Sequence, residues 1–188
     1  MKDFPQGTKP REIFVYTCER IAEPLIPLGY KYRKSKNDII KKGSPFTFSF
    51  YFQPSIKFSS ICFTAQFWVD SDIFAQWSNQ KYNRENLSRA IVGTTLARLT
   101  KLENDYPHYC VDTLMERERA IKEISDQINQ YALPFFERFS NIEQFVKEVE
   151  KEGFFPHYRD KSYRDGFGLN TQQKKQDFIE CFKVYCKE

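Results

Sequence analysis

Phe46-Thr47-Phe48-Ser49-Phe50-Tyr51-Phe52 and Ile61-Cys62-Phe63-Thr64-Ala65-Gln66-Phe67-Trp68-Val69 decide the fold. In both runs the purely apolar residues fall at every second position. Successive side chains of a strand point to opposite faces, so this alternation marks two strands that each bury one face. Upstream, Tyr30 to Lys34 and Ile39 to Lys42 flank a polar turn at Ser35–Asp38, and Gly43-Ser44-Pro45 supplies the next break. Four extended segments joined by short turns predict an antiparallel meander.

Helical periodicity lies on either side. Phe14, Cys18, Ile21, Leu25 and Leu28 recur every three or four residues, predicting a helix from Lys9 to Leu28, with Thr8 as its cap. Pro24 and Pro27 predict a kink or an early stop in its last turns, before Gly29. After the strands, Asp72 to Trp77 reads as a short helix and Ser78 to Arg89 as a polar loop, while Ile91–Leu99 and Tyr109–Val111 are further strand candidates. Thr113-x-x-Glu116 is a capping box, opening a helix with Ile121, Ile124, Ile128 and Tyr131 as its stripe. Pro134 is expected to end it. A second box, Ser140-x-x-Glu143, opens a helix with Ile142, Phe145, Val146 and Val149 inward, closed by Gly153. Thr171 to Cys186 forms the last helix, with Phe178, Phe182 and Tyr185 on one side. Strands that follow one another, instead of alternating with helices, predict an α+β protein: an antiparallel β-sheet meander with helices packed on one face.

The 188 residues suit one domain, 1–188, and a chain of this length needs no disulfide or metal to hold its core. Nineteen Phe and eleven Tyr make that core unusually aromatic. Five cysteines (Cys18, Cys62, Cys110, Cys181 and Cys186) are an odd number with no C-x-x-C spacing, which predicts reduced thiols and no zinc ribbon. A polar start without an apolar leader, and no run near the ~18 apolar residues of a membrane helix, predict a cytoplasmic protein with no membrane contact. The net charge of +4 is uneven: residues 1–60 hold 11 Lys and Arg against 5 Asp and Glu, whereas residues 113–153 hold 6 against 9.

Several pieces together resemble a bacterial family, the domain of unknown function 4304. They are Ile21-x-x-x-Leu25-x-x-Leu28-Gly29-Tyr30-Lys31, Phe50-x-Phe52-Gln53-x-Ser55, the strand Phe63 to Val69, and Leu133-Pro134-Phe135-Phe136-Glu137-Arg138-Phe139. The resemblance spans roughly residues 10–150 and leaves residues 154–188 as a C-terminal loop and helix extension. The family carries no established activity, so the resemblance implies a fold and no chemistry.

Catalytic candidates are few. His108 and His157 are the only histidines, which lowers the odds of acid–base or zinc chemistry. His108 and Cys110 stand two apart, as a nucleophile and its base would on one strand face, and Asp112 would extend them toward a metal set. Neither an oxyanion hole nor an orienting partner accompanies them, so an ordinary strand is the simpler reading, and no cofactor or metal is expected. Glu116 with Glu118, and Glu148 with Glu150 and Glu152, read as solvated helix faces. Gly166-Phe167-Gly168 lacks the Gly-Lys-Ser/Thr of a phosphate loop.

Binding candidates are better founded. Tyr30, Lys31, Tyr32, Arg33 and Lys34, with Lys36, Lys41 and Lys42, make a basic-aromatic hairpin, Tyr30–Lys42, that Tyr51 and Lys57 would extend. Bases stack on exposed rings and amines neutralise phosphates, so single-stranded nucleic acid is a candidate ligand. The plainer alternative is a solvated hairpin whose lysines discourage edge pairing. A second cluster, His157-Tyr158-Arg159 with Lys161, Tyr163 and Arg164, lies in the Phe154–Leu169 connection; Tyr and Arg are typical interface anchors. Gln53, Gln66 and Trp68 make a third, polar-aromatic patch. The expected function is therefore a non-catalytic binding protein acting through protein–protein contacts. Nucleic-acid binding at the hairpin is the alternative, and an enzyme built around His108 and Cys110 the second one.

Overall fold

The computed structural model describes residues 3–57, 60–100, 107–168 and 170–186, with residues 56 and 57 described by their backbone alone. Helix α1 (Pro10–Ala22) opens the chain and tightens into a 3-10 helix over Glu23–Leu28. The tightening falls where Pro24 and Pro27 interrupt the pattern, because proline has no amide for an α-helical bond. Thr8 does not cap α1; Lys9 stands at the N-cap, and the Thr8 hydroxyl donates to the Pro5 carbonyl.

Strands β1 (Lys31–Arg33), β2 (Asp38–Lys41), β3 (Thr47–Lys57), β4 (Ser60–Asp70) and β5 (Ala90–Thr95) lie side by side in sequence order, and the two-residue β6 (Tyr109–Cys110) pairs antiparallel with β4. In the β1–β2 register, Tyr32 faces Ile39 and Arg33 faces Asp38. The fold is α+β, an antiparallel meander with helices on its phenylalanine face. Between the strands stand α2 (Asp72–Tyr82), longer than its sequence pattern suggested, and the short α3 (Leu96–Leu99). Ile91 to Leu99 is thus strand only as far as Thr95.

Helix α4 (Leu114–Gln127) begins at the Thr113 capping box as expected. It does not stop at Pro134. A π-helical turn over Ile128–Ala132 carries it into α5 (Leu133–Glu137), and a single wide turn of this kind accommodates a break in the hydrogen-bond ladder. Of the expected stripe, Ile124 and Ile128 are buried, Ile121 is half-buried and Tyr131 is exposed, and Arg117, Ala120 and Gln127 are buried beside them. In α6 (Ile142–Glu152) the cap is Asn141, whose side chain accepts from the Gln144 amide; Ser140 instead donates to the Glu137 carbonyl. The one-turn α7 (Lys161–Arg164) and the long α8 (Thr171–Tyr185) complete the chain.

The chain divides into two compact units made of interleaved segments. Residues 1–42, 49–67 and 95–133 form the first, which packs Phe14 of α1 edge-on against Phe63 at 5.5 Å, and Phe52 against the same ring at 5.7 Å. Residues 43–48, 68–94 and 134–188 form the second. Its core is rich in phenylalanine: Phe46 meets Phe139 and Phe182, Phe48 meets Phe136, and Phe145 meets Phe139 and Phe178. Rings in such edge-to-face and tilted contacts contribute beyond their buried area.

Among the described residues, no helix is long and apolar enough to cross a membrane.

Candidate functional site

The hairpin does not present the rings that nucleic-acid stacking requires. Tyr30 is only 4% exposed, tilted against Phe50, and burial raises its phenol pKa. Tyr32 shares its strand face and is half-buried, with burial and the neighbouring Cys18 thiol raising its pKa. The reason is strand parity: with Tyr30 and Tyr32 inward, Lys31 and Arg33 alternate to the other side. Arg33 then clasps the carboxylate of Asp38, and Lys34 gives its carbonyl to Arg11 at 2.7 Å. Lys41 lies over the Tyr30 ring. The side chain of Lys57, expected to widen this surface, is outside the described residues.

In the His108–Cys110–Asp112 set both the thiol and the carboxylate are engaged elsewhere. Cys110 is joined to Cys62 by a disulfide, contrary to the expectation of five reduced thiols. The Asp112 carboxylate is taken by the Ser60 hydroxyl and the Ile61 amide, at 2.8 and 2.9 Å. Cys18 and Cys181 are free and buried, and burial pushes the Cys181 thiol up to about 12. The third patch divides. Gln66 donates to the Gln53 side-chain oxygen at 3.0 Å, a cross-strand pair. Trp68, in the second unit, lies instead against Gly93.

The second basic-aromatic cluster does assemble. Its last residue, Leu169, is outside the described set, and the rest closes into a small ring of side chains. Gly153 has φ of +82°, and a Cβ there would stand 2.4 Å from the Arg164 carbonyl oxygen, so the loop's two ends meet at a position only glycine can occupy. The Phe155 amide donates to that same carbonyl at 3.1 Å, and the Tyr158 amide to the Phe155 carbonyl. Asp160 caps α7 by accepting from the Ser162 hydroxyl and amide, which hold its carboxyl below the usual range. Asp165, 2% exposed, is neutralised by Lys175 at 2.8 Å.

On this frame His157 lies 4.4 Å from Tyr158, and Tyr158, Tyr163 and Phe167 meet one another at 5.5 to 5.6 Å. Tyr163 is 40% exposed. Arg159 and Lys161 project to solvent, and among the described residues neither they nor Arg164 pair with a carboxylate side chain. Phe167 also lines a cavity of about 280 Å³ with Trp68, Gly93, Thr171 and Lys174. Of the residues identified from sequence, Tyr158 and Tyr163 meet at 5.6 Å, while Arg159 is exposed and Arg164 half-buried on the same loop. Sequence reading missed Phe167 and Lys174; the glycines flanking Phe167 were the available signal, since they let the backbone turn its ring inward.

The antiparallel meander and its flanking helices define an α+β fold. The chain belongs to the family described as domain of unknown function (DUF4304), which it matches over residues 21–138. No curated protein and no solved structure matches it. The basic-aromatic surface lies outside the matched segment.

Proposed function

We propose that the protein is a binding protein that recognises an acidic segment of a partner protein through the 154–168 loop. The observation that carries this reading is one loop that holds exposed Tyr163 against half-buried Tyr158 and also bears Arg159, Lys161 and Arg164, which pair with no carboxylate among the described residues. Tyrosine offers large contact area at low entropic cost, and unpaired guanidinium groups offer charge-assisted hydrogen bonds to carboxylates. The loop is braced by its own backbone bonds and by Asp165–Lys175, so little ordering is needed on binding. The cavity beside Phe167 would take one apolar side chain of the partner.

The test compares the full-length wild type with the Arg159→Glu/Lys161→Glu variant, each confirmed as folded by its thermal transition. Both serve as bait in cell lysate, with and without nuclease, at low and moderate salt. A stoichiometric protein that survives nuclease on wild type and is lost on the variant supports the reading. Equal retention on both, or recovery of nucleic acid alone, overturns it.

A further inference from the structure

Strand β6 is only two residues long. Its two residues set Cys110 opposite Cys62 and Tyr109 opposite Phe63. The Val111 amide donates to the Ile61 carbonyl at 2.9 Å, so 61 and 111 are a hydrogen-bonded pair. One step along, 62 and 110 fall at the narrow kind of pair that exchanges no backbone bonds of its own. Their Cα atoms stand 4.0 Å apart, and the sulfurs are bonded across the gap. Both cysteines are half-buried, which leaves the bond within reach of a small reagent. Besides this bond, the junction rests on Asp112, whose carboxylate bridges to Ser60 and Ile61 at the partly exposed strand end, and on the Tyr109 ring against Phe63 at 6.0 Å; Arg117 and Gln127 of α4 hold the β6 side.

We propose that the Cys62–Cys110 bond is a reversible thiol-exchange site, opened by a low-molecular-weight monothiol of the glutathione class, and that its opening frees β6 from the edge of β4. The small thiolate attacks one cysteine sulfur and forms a mixed disulfide, while the bonding pair leaves on the other cysteine, which takes a proton. A second small thiolate attacks its counterpart in the mixed disulfide, releasing the symmetrical small disulfide and the second cysteine thiolate. The two cysteines gain two electrons and the two small thiols lose two; oxidised reagent reverses both steps. Once the covalent tie is gone, the backbone groups of Ile61 to Phe63 become an unpaired strand edge, which can accept an added strand. This device belongs to the first unit and is independent of the 154–168 loop.

The experiment uses the full chain with Cys186→Ser, which removes the exposed free thiol. It is equilibrated over a series of reduced-to-oxidised glutathione ratios, then quenched, alkylated and weighed, with amide exchange followed in parallel. Reduction of two cysteines with a midpoint inside the series is expected. Exchange should rise about tenfold or more at Ile61–Phe63 and Tyr109–Val111 and stay unchanged in α8, as local opening requires. Adding Cys62→Ser and Cys110→Ser should give the fast exchange at every ratio. A bond that survives millimolar thiol in the folded chain, thiols that stay free in oxidised glutathione, or reduction without faster exchange would each overturn the proposal.

Discussion

The indole of Trp68 lies so close to Gly93 that a Cβ at that glycine would stand 2.1 Å from Cε3 of the ring. Trp68 belongs to β4 and Gly93 to β5, so the missing side chain on one strand is the seat of the ring on the other. Gly93→Ala must therefore displace either the indole or β5. Overpacking of this kind costs roughly 1–3 kcal/mol. Urea unfolding in a Trp77→Phe background should show that loss, together with a red-shifted Trp68 emission. An unchanged midpoint and spectrum would mean that the ring is not seated on Gly93.

Asp177 gathers three donors in the second unit: Lys81 at 2.9 Å, the Tyr82 hydroxyl at 2.8 Å and the Gln173 amide at 3.0 Å. Its residue is 6% exposed, so water replaces none of these partners easily. Lys81 keeps a second carboxylate, Glu180, and is itself partly exposed, which limits the penalty of losing the first. Asp177→Asn should cost about 1–3 kcal/mol, the range for hydrogen bonds to a charged group. Asp177→Ala should cost more, since it leaves the Tyr82 hydroxyl without this acceptor. Equal denaturation midpoints for wild type and Asp177→Ala would contradict the assignment of Asp177 as the hub.

The parts of the fold legible in the sequence were those written in a short period. Phe46 to Phe52 and Ile61 to Val69 alternate cleanly, and both became strands with the expected face buried. Thr113 and Glu116 carry their reciprocal bonds within four residues, and the box formed. What failed depended on register or on a neighbour's choice. Tyr30 and Tyr32 lie on the same face as each other, so parity alone would have sent both inward once one was needed against Phe50. Ser140 and Asn141 are adjacent capping residues, and local sequence does not decide which one caps. The bond between Cys62 and Cys110 spans 48 residues and exists because β6 meets β4 in one register, a fact no spacing rule contains. At the candidate site, Tyr158, Arg159, Tyr163 and Arg164 were visible as composition, while the loop closure that accompanies the Tyr158–Tyr163 contact depended on Gly153 admitting the Arg164 carbonyl.

Arg117 is 1% exposed, and one guanidinium nitrogen donates to the carbonyls of Val111 and Asp112 at 3.1 and 2.9 Å. It thereby fixes the chain just after β6 to the first turns of α4. Arg117→Met keeps much of the apolar volume and removes both donors, leaving the buried Val111 carbonyl and the part-buried Asp112 carbonyl short of a partner. A loss of about 2–4 kcal/mol is expected, because orphaned buried acceptors cost their full desolvation. Arg117→Lys should recover only part of it, since a single ammonium lacks the planar fork. Equal stability of wild type and Arg117→Met in urea would show that the guanidinium contributes nothing net.

The capping box at the start of α4 couples stability to pH in a direction that can be checked. Glu116 accepts from the Thr113 amide at 2.9 Å and the Thr113 hydroxyl at 3.0 Å, and these bonds to its charged form hold its carboxyl below the ordinary 4.5. An acid whose folded pKa is depressed contributes stability that is fully present above its unfolded value and is lost as pH falls through the folded one. Glu116→Gln keeps an oxygen that can accept from the Thr113 amide and removes the charge. Wild type should thus exceed Glu116→Gln by about 0.5–1 kcal/mol at pH 7, and the gap should close in acid. Thr113→Ala behaves differently, because its hydroxyl also accepts from the Glu116 amide at 3.2 Å, a bond no proton removes. Its cost, about 1 kcal/mol at pH 7, should persist in part at acid pH. Urea unfolding of the three proteins at both pH values separates the two halves of the box; a Glu116→Gln gap that stays constant with pH would show that the charge plays no part in the cap.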